Sequence, residues 1–146
     1  MNTELASQGV SVPAAMVAPV SSSSTVTTGG VDMQKSRRAM FVVGIGVFGA
    51  SATVDGKLQG SADNSTGWTD IAGSNLTQLL AAGGNGKVAI MEIGAESVPV
   101  AFRYVRASVT VGTAASLVTV IPLGIDAAQK PGSQNNDASV VQKVVV

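Results

Sequence analysis

The longest alternation of apolar and polar positions runs unbroken from Ser51 to Asp63. Ala52, Val54, Gly56, Leu58, Gly60 and Ala62 share one side, while Ser51, Thr53, Asp55, Lys57, Gln59, Ser61 and Asp63 share the other. A period of two belongs to a half-buried strand. Asp55-Gly56, in its middle, has the composition of a type I′ hairpin turn. A two-residue hairpin there would set Val54 opposite Lys57 and mix the two sides. The pattern therefore predicts one continuous strand with Val54 and Leu58 inward.

Other segments carry the same signal. Met40 to Phe48 is an apolar run rich in β-formers, and Trp68 to Ile71 is a short strand after the turn cluster Asp63-Asn64-Ser65-Thr66-Gly67. Leu76 to Ala82 fits either one helical turn or a strand, and Gly83 to Gly86 is a loop. Lys87 to Ile93 alternates again, with Val88 and Ile90 opposite Ala89, Met91 and Ile93. After Pro99, the strand Ala101 to Val111 sets Arg103, Val105, Ala107, Val109 and Val111 on one side and Phe102, Tyr104 and Arg106 on the other. Gly112 to Ser116 turns the chain, and Leu117 to Ile125 is expected to return as its antiparallel neighbour. Short strands and turns without a long helix predict an all-β sandwich or barrel, and the fold expected is an antiparallel β-sandwich, jelly-roll-like.

The ends read differently. Residues 1–36 mix small apolar residues with Pro13, Pro19 and a Ser/Thr/Gly tract, and no period runs through them. They are expected to be an extended N-terminal arm lying on a neighbouring subunit through Leu5, Val10, Val12, Met16, Val17 and Val20. Residues 37–127 are the expected domain, able to fold alone if residues 1–30 are deleted. Residues 128–146 form a C-terminal tail, whose terminal Val144, Val145 and Val146 are expected to pair with a strand of another subunit.

Composition narrows the chemistry. With no His and no Cys, the chain has no imidazole or thiolate for metal binding or catalysis, and no disulfide. Charged residues make up 12% and the formal net charge is +0, so copies repel one another weakly and nothing favours generic nucleic-acid binding. The apolar run Ala39 to Ala52 falls short of the roughly 20 residues of a spanning helix, and the N-terminus lacks the pattern of an export signal. We therefore expect no membrane partner.

The local motifs resolve into structure. Gly44-Ile45-Gly46-Val47-Phe48-Gly49 matches the dinucleotide fingerprint in letters, but that loop must open a helix, and here a strand follows. Asn64-Ser65-Thr66 and Asn75-Leu76-Thr77 match a glycosylation pattern and read as turns. Glu92 and Glu96 show no paired-carboxylate spacing, and Asp55, Asp63 and Asp70 lack a calcium-loop pattern. No enzymatic activity, cofactor or metal is expected. Lys35, Arg37 and Arg38 form the basic cluster at the junction of arm and domain, either solvated or facing an acidic patch on a partner.

Two stretches carry a resemblance. Lys57 to Gly73, including Gly67-Trp68-Thr69-Asp70-Ile71, looks like a strand, a polar turn and a Trp-bearing strand; Phe102-Arg103-Tyr104-Val105-Arg106-Ala107 with Val109 to Leu123 looks like its late partner. Over residues 40–127 this resembles the small β-sandwich head proteins of tailed bacteriophages, of decoration or cement type. It is also similar to discoidin-like jelly-roll domains. The phage resemblance implies a structural protein on the capsid surface of a virion, with the major capsid protein and its own copies as partners, and a trimer as the expected oligomer. The alternative is a carbohydrate-binding, lectin-like module, for which the aromatic content of 3% is poor.

Overall fold

The computed structural model describes residues 5–145. Eleven strands form two antiparallel sheets. In sheet A, β11 (Ser116–Ala127) and β5 (Ser36–Ile45) are central, β9 (Lys87–Gly94) forms one edge, and β1 (Val10–Ser11) and β2 (Val17–Ser22) follow one another along the opposite edge. In sheet B, β10 (Tyr104–Gly112) and β6 (Thr53–Ser61) are central. There β3 (Thr25–Thr27) and β4 (Val31–Asp32) line the free side of β10, and β7 (Thr69–Asp70) and β8 (Leu79–Leu80) line that of β6. Taking the three interrupted edges as single strands, the order of strands within each sheet is that of a jelly roll, two Greek keys folded together.

The strand predicted over Ser51–Asp63 forms over Thr53–Ser61 and does not turn at Asp55-Gly56. Its burial alternates as the pattern requires, with Val54 and Leu58 sealed in the core. It starts after Ser51, whose φ of 58° breaks the extended backbone. Across the sandwich, Phe41, Val43, Val118 and Val120 of sheet A meet Val54, Leu58, Val105, Val109 and Val111 of sheet B in one core. Leu76–Ala82, left open by its sequence, holds β8 and the start of a tight turn at Ala81–Gly84, where Ala82 and Gly83 leave helical backbone angles.

Two expectations are corrected. The strands on either side of Gly112 are not hairpin neighbours. β10 pairs with β6, and β11 pairs with β5 in the other sheet. Thr113 takes a φ of 71° and Ala114 N donates to Gly112 O at 2.9 Å, so the chain bends over the sandwich end instead of folding back in plane. Val109 and Val111 then share the core with Val118 and Val120 across the sheets.

The second correction concerns residues 1–36. Their strands are the first two of the jelly roll rather than a separate arm: Val10 and Ser11 pair with Ile125 and Gly124, Val17 with Val120, and Val26 with Val109. Where β3 ends, Thr28 continues the ladder, donating its N–H to Ala107 O and accepting from Ala107 N through Oγ1, both at 3.1 Å. Edge strands pair on one side only, so they tolerate Pro13, Pro19 and the Gly29-Gly30 break. Residues 37–127 alone would lack an edge in both sheets.

The tail divides. Its first part is tied to the N-terminal segment: Val12 N donates to Asn136 Oδ1 at 2.9 Å and Asp137 N to Val12 O at 2.7 Å. Beyond it, Val141, Val144 and Val145 are exposed, and among the described residues they pair with no strand.

Candidate functional site

Each sheet turns one face outward, and the two differ in chemistry. The outer face of sheet B is polar. Gln59 of β6 stands opposite Arg106 of β10 and Asp70 of β7, and their side chains are joined. Arg106 donates through Nε and a terminal nitrogen to Gln59 Oε1 at 3.0 and 2.9 Å, and Gln59 Nε2 donates to Asp70 Oδ1 at 2.8 Å. Lys57 Nζ donates to Asp70 Oδ2 at 2.6 Å. The Arg106 guanidinium lies 4.2 Å from the Trp68 ring centre, a cation–π stack that covers one ring face. Partial burial lowers the Arg106 pKa from its ordinary value, while the Lys57 and Gln59 hydrogen bonds lower that of Asp70. Beside this network a cleft of 390 Å³ is lined by Asp55, Lys57, Asn75, Leu76, Ser108 and Thr110.

The outer face of sheet A is apolar. The register places Leu123, Met40 and Glu92 in one row, Ile121, Val42 and Ile90 in the next, and Thr119, Gly44 and Val88 in a third. Val88 is 63% and Ile90 57% exposed, and Leu117 beyond them is 42% exposed. A groove of 290 Å³ crosses one end of this face, with Gly44 and Gly46 between Leu117, Thr119 and Val88. Contiguous exposed apolar surface makes this face a candidate interaction site.

The residues predicted to make contacts are not gathered into one site. Val10 and Val17 are half-buried in β1 and β2; Val12 is half-buried beside them and holds the tail. Leu5, Met16 and Val20 are partly exposed along that edge. Lys35 is exposed; Arg37 reaches Asp126 at 3.8 Å and Arg38 reaches Glu92 at 3.4 Å, ion pairs open to solvent and therefore weak. Val144 and Val145 lie on the exposed tail, and Val146 lies outside the described residues. The apolar outer face was not singled out from sequence, although Lys87–Ile93 carries its signal: a strand apolar on both sides has a second face to cover.

The scattered acids are occupied in their own neighbourhoods. Asp55 accepts from Gln78 Nε2, and Asp32 holds Arg103 through two hydrogen bonds of 3.0 and 2.6 Å. Burial alone would raise the Asp32 pKa, but the Arg103 pair, the Gln34 N–H and the Lys35 charge together lower it. The Asp63 carboxylate closes its own turn, accepting from the Thr66 and Ser65 N–H groups at 2.9 Å and from Thr66 Oγ1 at 2.9 Å. These bonds hold its pKa far below the usual carboxylate range, with the Thr66 N–H contributing most. A lowered folded pKa favours the folded loop above the unfolded value of about 4, and that contribution is lost as pH falls through the folded value. The turn is thus expected to stay closed down to about pH 4 and to loosen only in stronger acid. Asp63→Ala is expected to loosen it at every pH. Amide exchange at Ser65 and Thr66 measures both; unchanged protection in the variant would refute the assignment.

Gly44 to Gly49 opens no helix, since β6 follows at Thr53. Among the described residues, no helix is long and apolar enough to cross a membrane. The arrangement as a whole offers surfaces for binding.

No protein-family model matches the chain, and no curated protein matches it. Among solved structures it is similar to the PBSX exported protein XepA, with 14% sequence identity and a TM-score of 0.51, over 100% of this chain and 44% of that one. The chain thus spans less than half the length of that protein. A structure of Broad Bean Stain Virus matches at 11% identity and TM-score 0.43, over 89% of this chain and 92% of that one. The C-terminal family 22 carbohydrate-binding module of Clostridium thermocellum Xyn10B matches at 12% identity and TM-score 0.41, over 88% and 91%. The XepA likeness is one of fold and agrees with the two-sheet architecture.

Proposed function

We propose that this protein is a structural subunit of a virion, a decoration or cement protein that sits on the capsid surface and binds the major capsid protein and its own copies. The observation that carries this reading is the apolar outer face of sheet A, with Val88, Ile90 and Leu117 open to solvent. A jelly roll needs one buried face per sheet, and this one has a second apolar face to bury. Burial of each exposed aliphatic side chain contributes about 1.5–3 kcal/mol, and many copies on one shell act by avidity. The exposed valines of the tail supply a second contact by strand addition. The reading assigns the protein no catalytic step. Quantitative mass measurement of purified particles tests it: the chain is expected in many copies per particle, and near-absence would overturn the reading.

A second reading, a carbohydrate-binding module, is favoured by the polar cleft beside Asp55, Lys57, Ser108 and Thr110. Side chains of this kind hydrogen-bond sugar hydroxyls, while Trp68 offers stacking surface beside Arg106. Glycan-array binding that Trp68→Ala abolishes would support it, and an array without signal would remove it.

A further inference from the structure

We propose that the apolar outer face of sheet A binds the same face of a second copy of this chain, across a two-fold axis that runs along the Ile121–Val42–Ile90 row. The inference rests on the reading that this face is covered in the assembly, and it names the occupant.

The face is complementary to itself about that row. One step to one side lies the row Leu123–Met40–Glu92, and one step to the other lies Thr119–Gly44–Val88. A two-fold axis along the middle row stacks β5 on β5 in the opposite direction, and so places Met40 of each copy over Gly44 of the other. Met40 is a flexible, unbranched side chain suited to filling a gap. Gly44 and Gly46 floor the groove that would receive it, between Leu117, Thr119 and Val88. A β-carbon at Gly44 would lie 2.8 Å from Thr119 Cγ2, so the groove exists because the position is glycine. The same rotation brings Arg38 over Gly46, so that its stem continues the ridge.

Charge favours the same occupant. The centre of the face carries none, and the chain has a formal net charge of +0, so two copies meet without repulsion. At the rim, Glu92 is paired with Arg38 of its own copy at 3.4 Å, so the facing copy meets a neutralised pair rather than a lone charge. Two twisted sheets pack face to face at about 10 Å with their strands roughly aligned.

The area decides how tight the pair is. Four strand positions about 4.8 Å apart and eight residues of about 3.3 Å rise give a face of roughly 500 Å². Two such faces bury about 1,000 Å², the lower limit for a specific interface. A reversible dimer dissociating in the micromolar range or above follows. This isologous pair takes the place of the trimer expected from the phage resemblance.

The test uses the full chain in sedimentation velocity across a dilution series, with three variants. The wild type is expected to pass from dimer to monomer on dilution. Ile90→Glu, at a solvent-exposed position, is expected to remain monomeric at every concentration while keeping the wild-type Trp68 fluorescence and thermal transition. The chain has no Cys, so Val42→Cys introduces a single thiol on the proposed axis. It is expected to cross-link to itself through a bismaleimide of about 10 Å reach, the spacing of packed sheets. Val100→Cys, fully exposed on a loop away from this face, is expected to cross-link far less. A wild type that stays monomeric throughout overturns the proposal, as does a dimer that survives Ile90→Glu or that Val42→Cys fails to cross-link. The assembly reading is separated by assaying Ile90→Glu for entry into particles. Normal entry of that variant sinks the role of this face in assembly. Exclusion of the variant together with a monomeric wild type sinks only the self-pairing.

Discussion

A chain lacking residues 1–30 is expected to lose its cooperative fold. The deletion removes β1, β2 and β3, and with them one edge of sheet A and the longer part of one edge of sheet B. Ala14 is buried in the core, and Val17 and Val26 pack against it. Without these residues the ladder groups of β10 and β11 lose their partners along one side, and Val109, Val118 and Val120 lose cover. Each lost backbone hydrogen bond costs about 0.5–1.5 kcal/mol and each uncovered core side chain about 1.5–3 kcal/mol, and together these losses match the roughly 5–15 kcal/mol by which a domain is stable. The truncated protein should be insoluble, or unfold without a sharp transition by circular dichroism. A soluble product with a sharp thermal transition would refute this account and restore the segment as an appended arm, as its sequence suggested.

Phe41→Ala is expected to be the most damaging single truncation in the core. Phe41 is fully buried at the centre of β5, opposite Pro122 of β11 and Met91 of β9. Both central strands of sheet A are paired on both sides, so the backbone cannot collapse into the space left behind. Loss of transfer energy together with a residual cavity places the destabilisation at about 3–5 kcal/mol. Leu58→Ala in sheet B removes less volume and should cost about 2–5 kcal/mol, whereas Val88→Ala on the exposed face should change stability by no more than about 0.5 kcal/mol. Urea unfolding midpoints at constant slope give the ranking. An effect of Phe41→Ala no larger than that of Val88→Ala would mean that the core does not centre on β5.

How far the sequence could be read depended on where each strand lies in its sheet. Central strands have to bury one side along their whole length, and so Val54 to Leu58 and Val105 to Val111 declare both strand and inward face by period alone. Edge strands face weaker demands. β1 to β4 bury little and are broken by Pro13 and by Gly29-Gly30, so their segment resembles a linker although it completes the jelly roll. The candidate sites suffered from the same limit. The stack of Arg106 on Trp68 joins residues far apart in the chain, and only the register of β10 on β6 brings Arg106 beside Gln59. The apolar outer face could be glimpsed in Lys87–Ile93 but not assembled, because it draws on three strands whose order in the sheet is not their order in the chain.

By itself the amino-acid sequence determined the all-β class, the inward and outward sides of the central strands, and the absence of imidazole and thiol chemistry. These follow from side-chain period and residue type, which are local. Only the tertiary structure decided which strands are neighbours, that β10 and β11 face one another across the core rather than pairing, and that residues 10–32 belong to both sheets. A strand's alternation says which way its side chains point but not what lies beside it. Pairing partners are chosen by hydrogen bonds between distant segments, and the surfaces that those partners build exist only after the choice is made.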